Sequence, residues 1–168
     1  MDIQGLISYM EDVHRPSLAM IKMVPKDKLN WKPKGKNFMT LGQMICHLSD
    51  GPGPGMRGFI TGDWGAEPMP EGEGESMLPP AEKMPTCTVE EAVQRLEESH
   101  ASAKKLLSTL SEEDFKSRIV SAPWGAKGPL WRMLLEMVEH QINHKCQLFM
   151  YLKLLGLPVH TGTLYYGQ

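Results

Sequence analysis

The stretch from Pro129 to Leu155 carries the strongest helical pattern in the chain and most limits what it can fold into. Gly128-Pro129 suits a helix start, because proline is tolerated in the first turn. Gly156 and Pro158 close it. Met133, Met137, His140, His144, Gln147 and Tyr151 recur at steps of three and four and share one face. That face is apolar except at its centre. A long helix with such a face needs partners to bury it, so the rest of the chain must supply them.

Three further segments keep a helical period, and no convincing strand appears. Ile3, Leu6, Ile7, Met10, Val13, Ser17, Met20, Ile21 and Val24 predict a first helix over residues 3–24. Pro16 lies inside it; an interior proline costs about 3 kcal/mol, so a kink is expected near Asp12 to Pro16. Residues 27–39 read as a loop anchored by Trp31 and Pro33. Thr40-Leu41-Gly42-Gln43 has the form of a capping box, and Leu41, Met44, Ile45 and Leu48 continue it as a second helix. Gly51-Pro52-Gly53-Pro54-Gly55 is hostile to a helix, so this one stops near Asp50 or breaks there and resumes through Met56 to Ile60. Thr88-Val89-Glu90-Glu91 is a second capping box. It opens a third helix with Val89, Val93, Leu96, His100, Ala103, Leu107 and Leu110 on its seam. Phe115 to Lys127 is irregular.

Four helices without strands predict an all-α, four-helix bundle in one domain over residues 1–168. Residues 51–87 form a long Gly/Pro-rich connection, beyond the usual loop length, suited to a crossover or a lid. Residues 157–168 form a C-terminal tail that packs through Leu164, Tyr165 and Tyr166.

The charge balance, 18 Lys plus Arg against 20 Asp plus Glu, implies no basic face and argues against nucleic-acid binding. No apolar run is long enough to span a bilayer, and the amino terminus lacks the form of a signal peptide. Cys46, Cys87 and Cys146 cannot all pair within one chain and read as free thiols of a cytoplasmic protein.

Chemistry concentrates on the last helix. His140 and His144 lie one turn apart on one side, about 6 Å of rise, as a pair able to hold one divalent metal ion through neutral rings. A third ligand must come from a facing helix. His14, His47 and His100 are the candidates, and His160 in the tail is the weakest. Periodicity does not choose among the first three, and each also reads as a core or border residue.

Two stretches resemble a known family. Thr40-Leu41-Gly42-Gln43-Met44-Ile45-Cys46-His47-Leu48 is similar to the second-helix motif of the DinB/YfiT-like proteins. His140-x3-His144-x2-Gln147, followed by Tyr151-Leu152-x2-Leu155-Gly156, is similar to their last-helix motif. Trp31-x-Pro33 and Pro123-Trp124-Gly125 resemble the family as well, so the likeness touches residues 1 to about 158. It implies an up-down-down-up bundle whose second and third helices run parallel, with a long crossover between helices 2 and 3. It implies a metal site at His47, His140 and His144 holding zinc or nickel, a small-molecule substrate, and a homodimer. Gly51 to Gly55 departs from the pattern, since many members continue the second helix there.

Three neutral ligands leave coordination positions open, as catalytic rather than closed structural sites do. The bare cation lowers the pKa of a bound water or thiol. The resemblance adds that some members are transferases or isomerases using a low-molecular-weight thiol. The expected function is therefore a divalent-metal-dependent enzyme with thiol S-transferase-like activity, or failing that a hydrolase. The alternative is a non-catalytic, stress-related metal or small-molecule binder. Around such a site Gln147 orients an imidazole or substrate, Glu136 accepts the free N–H of His140, and Asp50 does the same for His47.

Overall fold

The computed structural model describes residues 1–65 and 83–168. Among the described residues seven α-helices follow in order: α1 Ile3–Lys22, α2 Leu41–Asp50, α3 Gly53–Thr61, α4 Val89–Leu107, α5 Glu112–Ser117, α6 Leu130–Leu154 and α7 Thr161–Tyr166. Between α5 and α6 lies a two-stranded antiparallel hairpin, β1 Ile119–Ser121 with β2 Lys127–Pro129. The expected crossover or lid falls largely on residues 66–82 and lies outside the described residues.

Local chemistry explains the helix starts. Asp2 accepts the Gly5 N–H at 2.7 Å and caps α1. Both expected capping boxes are present, Thr40 with Gln43 on α2 and Thr88 with Glu91 on α4. Pro16 sits inside an unbroken α1 rather than interrupting it. Its ring leaves the Asp12 carbonyl without the usual partner, while the next residue, Ser17, donates its hydroxyl to Val13 O at 2.7 Å.

Cross-chain pairs fix the helix directions. Gly42 O accepts the Cys87 N–H, Asp50 pairs with Arg95, and Gly53 N–H donates to Ser99 Oγ. Partners therefore advance together, so α2 and α3 run parallel to α4. Glu11 pairs with Lys104 and Lys26 with Glu90, so α1 is antiparallel to α4. Tyr151 OH donates to Met39 O while His47 meets His144, so α6 is antiparallel to α2. The main rods α1, α2, α4 and α6 thus run up, down, down, up.

The Gly/Pro stretch breaks the second rod, and α3 resumes it after Gly51 and Pro52. Gly51 caps α2 with φ of 54°, a conformation open to glycine at little cost. Gly53 lets α3 approach α4, since a Cβ there would lie 2.7 Å from Ser99 O. The irregular stretch before α6 gains order from the hairpin, whose turn has Gly125 at φ 86° and the Ala122 N–H donating to Ala126 O. Phe115 of α5 is fully buried beneath it. The tail is helical in part, and α7 packs on α1.

The apolar interior is two clusters rather than one. Met20, Ile21, Leu41, Ile45, Leu96 and Leu152 belong to the first. Leu6, Met10, Ala103, Leu107, Leu134 and Val138 belong to the second. Each fully buried Leu contributes about 2 kcal/mol relative to exposure. The clusters separate between Val13 and Met20 on α1, Leu96 and Ala103 on α4, Val138 and Leu148 on α6, and between Leu48 of α2 and Met56 of α3. That waist is polar: Ser17, Gln141 and Lys145 lie there with His14, His100, His140 and His144, and His47 of α2 meets the last two.

The cysteine reading requires correction. Cys46 and Cys87 form a disulfide across a sequence separation of 41, with Cα atoms 5.0 Å apart, and Cys146 alone is free, exposed on α6. The pairing depends on the parallel course of α2 and α4, which brings Cys87 beside the middle of α2.

Candidate metal centre

α6 presents His140 and His144 one turn apart at the waist. The capping box of α2 and the Tyr151–Met39 hydrogen bond at 3.2 Å set that helix in register with α6. His47, at the border of the α2 apolar stripe, then faces the two imidazoles, its side chain only 10% exposed. His140 is the exposed member and opens the group to solvent.

The nitrogen atoms converge. One ring nitrogen from each of His47, His140 and His144 lies within 4.8 Å of the others. The closest pair, His47 Nε2 and His144 Nε2, stand 3.1 Å apart. Two ligands each about 2.0–2.1 Å from a shared ion stand roughly 3.0–3.4 Å apart at ordinary coordination angles, so this spacing fits one cation. The rings meet edge-on, at 80° for His47 with His140 and 79° for His47 with His144. Such tilts let in-plane lone pairs meet at a point.

Protonation also fits. Burial first, and the neighbouring His144 second, push the His47 pKa down to about 4. Burial, then His144 and His47, does the same for His140. His144 is lowered by burial, with Gln147 opposing. All three are neutral near pH 7 and have lone pairs to give.

The surroundings differ in how they engage the group. Gln147 Oε1 lies 2.9 Å from His144 Nδ1. An amide oxygen only accepts, so Nδ1 carries the proton and Nε2 keeps its lone pair toward His47. Asp50 Oδ2 stays 4.0 Å from His47 Nδ1, outside hydrogen-bond range, while Oδ1 pairs with Arg95. Glu136 faces Arg132 at 3.5 Å, and the same guanidinium bonds Glu139 at 3.0 Å. The structure therefore gives Glu136 to Arg132 and not to His140.

The other histidines go elsewhere. His14 and His100 stack on each other across α1 and α4, 4.0 Å apart and 21° from parallel. Stacked rings direct their lone pairs along parallel planes, so the two cannot converge on one ion. His160 caps α7, its Nδ1 accepting the Gly162 N–H at 3.1 Å. Of the three candidates that periodicity left open, geometry brings only His47 to the pair.

Two buried polar side chains on α6 escaped the sequence reading. Gln141 is 1% exposed, and its Nε2 donates to Ser17 Oγ over 3.4 Å while Oε1 has no partner. Lys145 is 6% exposed and donates to Leu164 O at 3.0 Å, holding α7 against the bundle. Both belong to the stripe Leu134, Val138, Gln141, Lys145, Leu148 and Leu152, which is the face α6 actually buries. The histidine face lies beside it.

Fold and centre together define a helical bundle with a three-histidine group positioned to hold a metal ion. The chain belongs to the DinB superfamily, whose family model matches residues 9–148. A crystal structure of a protein from Exiguobacterium sibiricum 255-15 assigned to the DinB family is similar over 96% of each chain. Its TM-score is 0.67 and its identity 22%, so it speaks for the fold alone. No curated protein matches the sequence. Among the described residues, no helix is long and apolar enough to cross a membrane.

Proposed function

We propose that the protein is a divalent-metal-dependent enzyme whose ion, zinc or nickel, is held by His47, His140 and His144, and that it joins an intact low-molecular-weight thiol, through its sulfur, to a small electrophilic substrate. The observation that carries this reading is the convergence of three neutral imidazoles, with no carboxylate among them, on a point that His140 leaves open to solvent. When bound there, a divalent cation supplies the positive charge that holds a thiol as its nucleophilic thiolate near neutral pH.

The chain's own residues then have distinct tasks. His47 and His144 hold the cation from facing helices, and His140 completes the set from the solvent side. Gln147 fixes the His144 tautomer. Asp50, bound to Arg95, adds negative charge near the outer edge of His47 without competing for the cation. The polar waist keeps these groups at one level of the bundle.

A second reading, a non-catalytic metal or small-molecule binder, draws on one observation. The open cleft of about 430 Å³ at the α2–α3 break is lined by Asp50, Arg57, Arg95 and Glu98, among others, and by none of the three histidines. The deciding experiment compares metal-free and zinc- or nickel-loaded protein for consumption of several cellular thiols with an alkylating electrophile. The enzyme reading expects loss of free thiol only with loaded protein. Equal rates with and without metal, for every thiol tried, would favour the binder.

A further inference from the structure

The Cys46–Cys87 disulfide has no task in the chemistry above, yet it stands one residue from His47. It joins the middle of α2 to the residue just before the Thr88 cap of α4. Two hydrogen bonds accompany it: the Cys87 N–H to Gly42 O at 3.2 Å, and Gln43 Nε2 to Met84 O at 2.9 Å. Lys83, Pro85 and Thr86 are exposed, although Thr86 Oγ1 also sits close over Gly42, where a Cβ would lie 2.3 Å from it. The bond is the covalent attachment of this segment to α2.

The sulfur pair is also approachable. Cys46 is 1% and Cys87 6% exposed. Both nevertheless line an open cleft of about 290 Å³, with Pro85 and Thr86 on one side and Glu91, Gln94 and Arg95 on the other. A cleft of that size admits a small thiol. A cross-link that served packing alone would not need such an approach.

We propose that Cys46–Cys87 is a thiol–disulfide exchange site, reduced by a low-molecular-weight thiol entering this cleft, and that reduction releases residues 83–87 from α2. A thiolate attacks the sulfur of Cys87, the less deeply buried residue of the two, and forms a mixed disulfide. The Cys46–Cys87 bond breaks, and its electron pair leaves on Cys46 Sγ, which takes a proton from water. A second thiol then attacks the mixed disulfide, freeing the Cys87 thiol and giving the oxidised, paired form of the small thiol. Two electrons pass from two small thiols to the protein. In a reducing compartment a disulfide of this kind is a switch rather than a staple. The segment it holds lies against the helix that carries His47.

The test needs neither metal nor activity, so it stands or falls apart from the proposed enzyme. Full-length protein is equilibrated in buffers of reduced and oxidised glutathione at graded ratios. It is then quenched with acid, denatured and alkylated, and the labelled cysteines are assigned by mass spectrometry. Cys146 should label throughout, while Cys46 and Cys87 gain label together as the buffer becomes reducing, with the helical circular dichroism unchanged. Hydrogen exchange should rise over residues 83–87 in the reduced protein and stay level over α6. Cys87→Ser and, separately, Cys46→Ser should show the same raised exchange without reductant. Reduction only after denaturant unfolds the chain would overturn the exchange site. So would full labelling at every ratio. Unaltered exchange over residues 83–87 after reduction would overturn the release.

Discussion

Gln147 offers the sharpest point of attack on the centre, because it touches a single imidazole and is itself exposed. Its Oε1 accepts from His144 Nδ1 at 2.9 Å. Gln147→Leu removes that acceptor while leaving all three imidazoles in place. His144 is then free to place its proton on Nε2, the atom 3.1 Å from His47 Nε2. A protonated Nε2 donates to its neighbour and has no lone pair for a cation. Loss of such an orienting hydrogen bond weakens metal affinity about 10–100-fold, or about 1.4–2.8 kcal/mol. Gln147→Glu keeps an acceptor and adds charge, so it should hold or tighten the ion. Competition against a chromophoric chelator at pH 7.5 reads the affinity, and the number of ions bound at saturation should not change. Equal affinity in Gln147→Leu and the native protein would refute the assignment of the tautomer. Weaker binding in Gln147→Glu would refute the role of the acceptor.

Two further predictions concern the polar waist. Gln141→Met should stabilise the protein by about 1 kcal/mol, because an unpaired buried acceptor costs about 1–3 kcal/mol and Ser17 keeps its own bond to Val13 O. Urea denaturation checks it, and destabilisation would show that the amide is better satisfied than its neighbours indicate. The second concerns pH. Burial, then His14 and Lys104, hold His100 at about 4, with Glu11 opposing; burial lowers His14 as well, with Glu97 opposing. The unfolded rings take up a proton near pH 6.5, before the folded ones do. Stability of the metal-free protein is therefore full above that pH and declines as pH falls toward about 4. His100→Gln should flatten the decline in melting temperature between pH 7 and 5, and an unchanged slope would remove the stacked pair from the explanation.

How far these features could be read from the sequence depends on how local their causes are. The capping boxes at Thr40 and Thr88, the ends of α6 and the His140–His144 pair are written in spacings within a turn or two. Periodicity does not choose His47 over His14 and His100, since the first two sit at the edge of an apolar stripe and His100 on a seam, all places that core residues also take, and only the resemblance favours it. Tertiary geometry separates them: His14 and His100 meet face to face, and His47 meets α6 edge-on. Gln141 and Lys145 hid for the same reason. Their partners, Ser17 and Leu164, come from other helices. The disulfide joins α2 to the residue just before the α4 cap, and no local pattern encodes the parallel course of those two helices. The hairpin strands have three residues each, too few for alternation to register. The histidine face of α6 looked like its buried face because Met133 and Tyr151 belong to both.

Metal content tests the central claim most directly. The native protein and the variants His47→Ala, His140→Ala and His144→Ala are each saturated with zinc or with nickel, desalted and measured by elemental mass spectrometry, with circular dichroism confirming the fold. The account predicts one ion per native chain and a sharp loss in all three variants. Native protein that retains no ion, or variants that retain as much as the native chain, would contradict it.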